Sequence, residues 1–525
     1  MRKIYITLAV LLIGMIGMAY LYFSNLNTNT NANDLSLNAA SSNASIIFSF
    51  ESDKSFYEIL SGQDLFQNLL GNEKAKQFKA LRDNLANVNA INEALGNQKV
   101  YIGILPGNEN KVDFLISTQL KAESDPIRLL NSLKKNANVN QLKDIYQITF
   151  KDSTNIFVAL KNSLVLISNA QPAILNVLHT NANADKNFAQ YIKSNSRYNK
   201  NTLANLYINY NKLPLLLKNI LNSNLIGELN IFNKQDSYAA LSYNYSIEKL
   251  LFNGNTTIND SSSYYKLFTT SAEQKITINN LLPEKTANYA TYGIADYSKW
   301  RLLLNNWFEL KKEKEEIDKG LAAINQKYRV DLNEIIPKYF KNQFLTFELN
   351  TGEKFGAIAL INGEKLNQLL LDLSAEYATD IRIFKEPEIL YSFFGEPFKK
   401  FERPFFTIID NHLIVANNAS SIQVFINSYS NNKLLINNID YINFGNQLSS
   451  SSTICFYVNN KNSNDIFGRN LKLPYFKQYQ SKSGFKNFDA FCYQLSGDNG
   501  KFLTNLLLYK KQEKVAEPDT LKTNQ

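Results

Sequence analysis

The sequence predicts an α+β protein: an N-terminal transmembrane helix followed by two similar domains of largely antiparallel sheet covered by helices. Three observations lead to this prediction. A hairpin–helix pattern occurs at Ile156–Val177 and again at Phe405–Ile426, and an uncharged apolar run covers Ile4–Phe23. The third is that no long series of apolar strands alternates with helices, as a doubly wound parallel sheet would require.

The hairpin–helix pattern is the basis for predicting an internal duplication. Each copy has two apolar strands around a polar reversal, then an Asn-Ala pair and an amphipathic helix. A short Asn/Asp turn favours a hairpin, and the later Asn can cap the helix. Aligning Leu164 with Leu413 superimposes the copies at an offset of 249 (413 − 164). Further matches follow in the same order: Phe56 with Trp300, Asn97-Gln98 with Asn342-Gln343, Tyr207-Ile208-Asn209 with Tyr457-Val458-Asn459, and Lys249-Leu250-Leu251 with Lys501-Phe502-Leu503.

The chain length fits this plan, because 525 residues are too many for one core and suit two or more domains. The run Asn259-Asp260-Ser261-Ser262-Ser263 marks a loop between the halves. The predicted boundaries are residues 46–258 for the first unit, 259–280 for a linker, 281–511 for the second unit and 512–525 for a disordered tail.

The run Ile4–Phe23 is long enough to cross the hydrocarbon core of a bilayer as a helix. Arg2-Lys3 precede it, and the next basic residue is Lys54. This asymmetry places residues 1–3 in the cytoplasm and the bulk of the chain in the periplasm or outside. A cleaved signal peptide is the alternative, since Gly17-Met18-Ala19 offers small residues for cleavage. The apolar run continues past that point, which favours an uncleaved anchor.

Residues 24–45 are mostly Asn, Thr, Ser and Ala, with few large apolar side chains. Such a composition buries too little surface to order a chain, so this segment is predicted to be a flexible tether. Together with the anchor it predicts a single-pass membrane protein.

The charge pattern argues against nucleic-acid binding. The net charge is +9, but the 56 basic and 47 acidic residues are interspersed. No stripe of Lys and Arg alternates with aromatic residues, as a nucleic-acid surface would need. We therefore expect no nucleic-acid partner.

Catalytic and metal-binding patterns are absent from the sequence. His179 and His412 have no further ligand at zinc-binding spacing, and no phosphate-binding loop or nucleophile motif occurs. Glu386 and Glu388 flank Pro387 in a predicted loop and show no catalytic pattern. We predict a protein that is not an enzyme, without catalytic, metal or cofactor-binding residues and without a cofactor.

Cys455 and Cys492 each lie inside an apolar strand and form no Cys-x-x-Cys pair. Either they are two buried small hydrophobic side chains, or they form a disulfide in an oxidising compartment. The matching strands of the first half contain no cysteine, so that half folds without a crosslink. We predict two buried thiols or a dispensable disulfide, with no redox role.

A long helix is predicted from Trp300, with an apolar stripe at three- and four-residue spacing. Such a stripe normally packs on the protein's own sheet, and docking of a partner is the alternative. The stripe consists of Leu303, Trp307, Leu310, Ile317, Leu321 and Ile324.

Two segments of the second half carry a resemblance to a known family. Leu282–Ala287 (LPEKTA) leads into a strand and a helix with a tryptophan, and Val330–Pro337 precedes the next strand. With the anchor and the polar segment, they resemble an uncharacterised membrane-anchored bacterial envelope family, a domain of unknown function with a duplicated α+β unit. The resemblance implies an envelope location and supplies no catalytic residue.

Two functional hypotheses follow. The first is a non-enzymatic envelope protein that acts as a scaffold or binds a partner in the periplasm. The alternative is a carrier or sensor of a small apolar ligand, such as a lipid, held between helices and sheet. The expected partners are the inner membrane, through residues 4–23, and an envelope protein or lipid; the sequence identifies no ligand-binding residues.

Overall fold

The computed structural model describes residues 34–51, 76–77, 79–81, 83, 94–96, 98–121, 131, 134, 137–179, 185–196, 202–222, 231–233, 235–244, 246, 248–481 and 484–510. The predicted anchor Ile4–Phe23 and the predicted tail 512–525 lie outside these ranges. Within them, no helix is both long and apolar enough to cross a bilayer.

The α+β class with a large antiparallel sheet is confirmed, since the main sheet has 20 strands among the described residues and their pairings are antiparallel. The strands of the first half are β1 (Ile46–Glu51), β2 (Lys99–Pro106), β3 (Val112–Gln119), β4 (Ala137–Leu142), β5 (Ile145–Phe150), β6 (Asn155–Lys161), β7 (Leu164–Ser168), β8 (Asn205–Asn209), β9 (Ser237–Asn244) and β10 (Lys249–Ile258). The strands of the second half are β12 (Thr286–Gly293), β13 (Phe340–Leu349), β14 (Lys354–Leu360), β15 (Ser374–Ala378), β16 (Ile381–Phe384), β17 (Phe405–Ile409), β18 (His412–Ala416), β20 (Ile454–Asn459), β21 (Phe488–Asp498) and β22 (Lys501–Lys510). A small separate sheet pairs β11 (Gln274–Lys275) with β19 (Ser451–Ser452).

Helices cover the main sheet. They are α1 (Leu35–Asn43), α2 (Gln171–His179), α3 (Lys186–Ser196), α4 (Leu213–Ile220), α5 (Tyr297–Lys311), α6 (Lys314–Tyr328), α7 (Leu332–Tyr339), α8 (Gly363–Leu369), α9 (Ile389–Phe394), α10 (Ala419–Ser430), α11 (Ile439–Gly445), α12 (Asn464–Asn470) and α13 (Leu473–Gln480).

The strands of the two halves pair in the same order. From the centre of the sheet outward, the first half runs β10-β9-β8-β1-β2-β3-β7-β6-β5-β4. The second half runs β22-β21-β20-β12-β13-β14-β18-β17-β16-β15. Residues that occupy the same place in the two orders are called equivalent below.

The two halves share one continuous sheet, because β10 pairs antiparallel with β22. Asn253 lies opposite Asn505, and these two residues are equivalent at an offset of 252 (505 − 253). Beside them, the hydroxyls of Thr256 and Thr504 are 2.8 Å apart. The sequence predicts a sheet for each of two domains, whereas in the structure the strand pair β10–β22 joins the halves into one sheet.

A second contact between the halves has the same symmetry. Leu221, after α4, forms an antiparallel bridge with Leu471, after α12. Asn222 N donates to Asn470 O (2.7 Å), and Lys472 N donates to Ile220 O (2.9 Å). At an offset of 250 (471 − 221) each of these bonds is the image of the other. The halves therefore contact one another as the subunits of a two-fold symmetric dimer do.

Each face of the sheet carries its own core. Face A, which holds Leu166 and Tyr207 in the first half and Ile414 and Tyr457 in the second, packs against α1, α2 and α3 and against α10 and α11. Face B packs against α4 in the first half and against α5 to α9 in the second. Burial of apolar residues on both faces is the main source of stability for such a layered fold.

The hairpin–helix pattern is present in both halves, as β6-β7-α2 and β17-β18-α10, but the alignment of Leu164 with Leu413 is wrong by one residue. Lys161 pairs with Leu164, and Ile409 pairs with His412. Leu164 is therefore equivalent to His412, at an offset of 248 (412 − 164). Leu413 belongs to the core on face B and Leu164 to the core on face A. A slip of one residue moves a side chain to the opposite face of a sheet.

Part of the predicted flexible tether is a packed helix. Within residues 24–45, α1 begins after Asp34, whose Oδ1 accepts from Leu37 N (2.8 Å). Lys212 Nζ donates to Ser41 O (3.2 Å) and Ser42 O (2.8 Å) at the other end of the helix. The small side chains that made this segment resemble a linker let the helix lie close to the sheet.

The predicted linker 259–280 is also packed. Tyr264 to Phe268 form a 3-10 turn within the core on face B. Tyr264 donates a hydrogen bond from its hydroxyl to Phe394 O (2.5 Å). The aromatic side chains of this segment bury enough surface to hold it against the second half.

The predicted single long helix is two helices. α5 ends at Lys311, and Lys312 adopts a left-handed conformation (φ 62°) before α6 begins. The backbone N–H of Lys312 bonds to Glu309 O and Phe308 O, which closes the end of α5.

Candidate functional site

Helix α5 is fixed in position at both ends and along its inner face. Asp296 Oδ1 accepts from Lys299 N (3.1 Å) at its start. Trp307 Nε1 donates to Ser262 O (2.8 Å). Lys311 lies 4.2 Å above the centre of the Trp307 ring and pairs with Glu396 (3.2 Å). The helix is therefore a rigid support for the side chains that it presents outward.

Arg301 adds to this support. Its Nη1 donates to Ser392 O, and its guanidinium lies 4.7 Å from the centre of the Phe393 ring. Burial lowers the pKa of the Arg301 guanidinium. The side chain thus connects α5 to α9 through a carbonyl and an aromatic face.

Three leucines project from the outer side of α5. Leu302 is 65% exposed, Leu303 37% and Leu310 57%. Leu303 and Leu310 are seven residues apart, which places them on one line along the helix, and Leu302 lies beside that line. We call these three side chains the leucine surface. Large exposed apolar patches rimmed by polar residues mark protein-interaction sites, which makes this surface the candidate site.

The surround of the leucine surface is polar and of mixed charge. Lys299 and Glu309 on the same helix are exposed, and so is Lys312 directly after its end. A hydrophobic centre with a charged rim is the usual arrangement at non-obligate protein interfaces.

The apolar stripe predicted from the sequence contains both core residues and surface residues. Of the predicted stripe, Trp307, Ile317, Leu321 and Ile324 are buried, whereas Leu303 and Leu310 are exposed. Leu302 was not in the predicted stripe. The sequence does contain a pattern that could have identified Leu302 as exposed. The apolar residues of α5 cover a wider arc of the helix than one sheet can bury. These residues are Trp300, Leu302, Leu303, Leu304, Trp307, Phe308 and Leu310.

The structure brings Cys455 and Cys492 together. Cys492 lies opposite Tyr457, so the cysteines are diagonal neighbours on face A. Both thiols are free and buried, with the sulfur atoms 3.3 Å apart. Burial raises the pKa of the Cys492 thiol, and the hydrogen bond with Cys455 raises it further. A buried thiol that stays protonated is a poor nucleophile.

The two histidines lie apart from any ligand cluster. His179 is the last residue of α2, and His412 is the first residue of β18, opposite Ile409. Burial lowers the pKa of the His412 imidazole. Within the described ranges, no group of three or more His, Cys, Asp or Glu side chains is placed to hold a metal ion.

Glu386 and Glu388 have separate environments. The Glu386 carboxylate accepts from Lys327 Nζ (2.8 Å) and from the Tyr328 hydroxyl (2.5 Å). The Lys327 hydrogen bond is the main cause that lowers the pKa of Glu386. Glu388 precedes α9 in a left-handed conformation (φ 56°). The two residues therefore serve local structure: Glu386 as an ion-pair partner and Glu388 as the start of a helix.

Comparison with known proteins gives little further information. No family model matches the chain, and no curated protein matches it. The crystal form I structure of TP0453 is similar over 43% of this chain and 79% of that chain, with 11% identity and a TM-score of 0.22. A similarity at that TM-score supports no conclusion about fold or function.

Proposed function

We propose that this chain is a non-enzymatic, membrane-anchored protein of the bacterial envelope whose folded part binds a partner protein through the leucine surface. Ile4–Phe23 would be the anchor, with Arg2-Lys3 on the cytoplasmic side. The folded part would then face the periplasm or the outside of the cell. The resemblance to the envelope family also supports this proposed location.

The observation that carries the proposal is the exposure of Leu302, Leu303 and Leu310 on a helix that is otherwise firmly packed. Covering a leucine side chain is worth about 1.5–3 kcal/mol relative to full exposure. A partner that presents apolar side chains to this helix would gain part of that free energy at each position.

We further propose that the two halves derive from one duplicated unit. The shared strand order and the symmetric contacts at Asn253–Asn505 and Leu221–Leu471 support this. Helices α5 and α6 lie on face B of the second half only among the described residues, where Trp300 and Trp307 are fully buried. The leucine surface would thus be a feature that the second half acquired.

The alternative, a carrier of a small apolar ligand, has less support. Aromatic side chains fill the core on face B of the second half, where Tyr292 stacks on Phe344 with centroids 4.7 Å apart. A ligand site would need a concave apolar pocket of several hundred Å³. Filled cores with exposed leucines favour a protein partner.

Site-specific photocrosslinking in cells tests the proposal. A photoreactive amino acid replaces Asn306, which lies between the leucines, and in a matched control replaces Lys319 on the outer side of α6. We expect one discrete adduct at position 306 that disappears in a Leu303→Asn, Leu310→Asn variant with unchanged thermal unfolding. An adduct that survives those changes, or equal labelling at position 319, would reject the leucine surface.

Protease accessibility tests the location independently. Protease added to spheroplasts should digest the folded part without disruption of the membrane. Protection of the folded part until the membrane is broken would reject the envelope location, whatever the outcome of crosslinking.

A further inference from the structure

An open cleft of mixed polarity lies away from α5, between the turn that joins β13 to β14 and the helices α12 and α13. Its volume is about 330 Å³, and Asn350, Asp465, Arg469 and Phe476 are among the residues that line it. The volume suits a ligand of amino-acid size.

Arg469 has an equivalent in the first half with a different role. Asn219, in α4, donates from Nδ2 to Gly107 O (2.8 Å) and Lys111 O (2.7 Å) and so closes the β2–β3 turn. Arg469 occupies the same place on α12, at the offset of 250 (469 − 219) that relates Leu221 to Leu471. Its guanidinium forms no hydrogen bond or ion pair with the residues that the structure describes.

Gly352 brings the guanidinium against the turn. A Cβ atom at Gly352 would lie 3.0 Å from Nη2 of Arg469, and the glycine has a φ of +102°. Glycine therefore permits both the turn and the close approach. Among the described residues, the second half thus has an unpaired cation where the first half has a closed turn.

Asn350 lines the same cleft and carries an unsatisfied acceptor. Its Oδ1 is buried and has no hydrogen-bond partner in the described part of the chain. A buried acceptor without a donor costs about 1–3 kcal/mol. A ligand that donates a hydrogen bond to this oxygen would recover that free energy.

Asp465 and Phe476 also line the cleft and add an anionic group and an aromatic ring. Asp465 accepts one hydrogen bond, from Asn464 Nδ2 (3.1 Å), and forms no ion pair with Arg469, four residues later on α12. The ring of Phe476 forms an apolar wall. The cleft thus offers a cation, an anion, an amide oxygen and an aromatic surface.

We propose that this cleft binds the carboxylate end of an apolar α-amino acid, either free or as the C-terminal residue of a peptide. The carboxylate pairs with Arg469, whose guanidinium can hold both of its oxygens. The ammonium or amide N–H of the same residue donates to Asn350 Oδ1 and Asp465. The apolar side chain lies against Phe476. This site is separate from the leucine surface and goes beyond the proposed function.

Ligand-observed saturation-transfer NMR on the full-length chain in detergent micelles tests the proposal. The probes are leucine, N-acetyl-leucine and leucinamide, with inorganic phosphate as a competitor. We expect saturation transfer to leucine or N-acetyl-leucine and at least tenfold weaker binding of leucinamide, which lacks the carboxylate. Stronger binding of leucine would indicate the free amino acid, and stronger binding of N-acetyl-leucine would indicate a peptide end.

Substitutions of single residues test whether the ligand binds in the cleft. Arg469→Gln should weaken binding at least tenfold without a change in thermal unfolding. Asn350→Leu should weaken binding severalfold without lowering the thermal stability, because it removes a buried acceptor that has no donor. Arg403→Gln, at an exposed arginine outside the cleft, should leave binding unchanged. No transfer to any amino-acid probe, equal binding of leucinamide, displacement by phosphate at equal concentration, or unchanged binding in Arg469→Gln would each overturn the proposal.

Discussion

Asn253 and Asn505 face each other at the centre of the sheet, and Nδ2 of Asn253 donates a hydrogen bond to Oδ1 of Asn505. The Asn253 side chain also accepts from Asn244 Nδ2 (2.5 Å). An amide can both donate and accept, so two equivalent asparagines can satisfy each other across a two-fold axis. The pairing of β10 with β22 and these side-chain hydrogen bonds together hold the two halves in one sheet.

At the strand pair β10–β22, we expect one added methyl group at Gly254 to lower the stability of the fold strongly. In β10, a Cβ atom at Gly254 would lie 2.0 Å from the carbonyl oxygen of Ala240 on the next strand. Gly254→Ala should therefore lower the free energy of unfolding by about 1–3 kcal/mol, because the backbone must shift. The midpoint of urea unfolding measures this.

Gly320→Ala is the matched control for Gly254→Ala. Gly320 lies inside α6, and a Cβ atom there meets nothing within 4 Å. Alanine should stabilise the helix by about 0.5–1 kcal/mol. Equal effects of the two substitutions would contradict the strand packing described for β10.

The docking of α1 depends on Lys212. Its ammonium bonds to the last turn of the helix and lies 3.4 Å from the Asp185 carboxylate. Lys212→Met keeps the aliphatic stem and removes the donor, so we expect a loss of about 1.5–3 kcal/mol and faster hydrogen exchange in residues 35–45. Hydrogen–deuterium exchange with mass spectrometry measures the protection of backbone amides both in residues 35–45 and in the rest of the fold.

Lys111→Met provides the comparison for Lys212→Met. The Lys111 ammonium pairs with Glu109 (3.7 Å) on an exposed turn, where ion pairs contribute little. Its exchange pattern should match the unmodified protein. If residues 35–45 exchange at the unprotected rate in the unmodified protein, then α1 is not docked in solution.

Buried tyrosines predict unfolding at high pH. Burial raises the pKa of Tyr207 to about 12, raises that of Tyr441 to about 12, and raises that of Tyr210 well above its ordinary value. In the unfolded chain tyrosines lose protons near pH 10. The unfolded state therefore binds fewer protons than the native state above pH 10, and stability falls as pH rises from there towards the folded pKa values.

Two spectroscopic signals measured together check this behaviour. Absorbance of tyrosinate near 295 nm should rise in the same pH interval in which far-UV circular dichroism is lost. A full rise in tyrosinate absorbance with unchanged circular dichroism would show that these hydroxyls are accessible in the native state.

The thiols should resist alkylation in the native protein. Cys455 and Cys492 are both buried away from reagents, and burial raises the pKa of the Cys492 thiol, which keeps that thiol protonated. We expect almost no reaction with iodoacetamide at pH 8 and two alkylations per chain after unfolding. A Cys455→Val, Cys492→Val variant should still fold, because the equivalent positions of the first half are Asn205 and Ala240.

Mass spectrometry separates the two predicted states of the cysteines. Two alkylations after unfolding without reductant indicate free thiols, and alkylation only after reduction indicates a disulfide. Rapid alkylation of the folded protein, or failure of the double variant to fold, would contradict a purely structural role.

Local patterns in the sequence predicted the α+β class, the antiparallel sheet and the two hairpin–helix copies. The register of one copy could not be predicted, because β7 and β18 are apolar on both faces and show no alternation. Leu164 and Leu413 match by residue type, but the strand pairing makes Leu164 equivalent to His412.

Segments that are held by distant contacts were not predictable. Ala44 of the predicted tether packs on Gly103, where an added Cβ would lie 3.0 Å from the Ala44 methyl. Only tertiary structure brings these small residues together. The leucine surface was partly predictable from the apolar excess on α5, whereas Arg469 and Asn350 of the cleft come from a helix and a turn that carry no motif.

The central structural claim is that the two halves form one sheet with Asn253 opposite Asn505. Disulfide crosslinking tests it in a Cys455→Val, Cys492→Val background that carries Asn253→Cys and Asn505→Cys. Directly opposed residues have Cα atoms about 4.5–5.5 Å apart, which a disulfide can span. A control pairs Asn253→Cys with Thr504→Cys, because Thr504 points to the other face of the sheet. We expect rapid, reducible crosslinking within monomeric chains for the first pair and none for the control. Crosslinking of both pairs alike, or of neither in a folded protein, would contradict it.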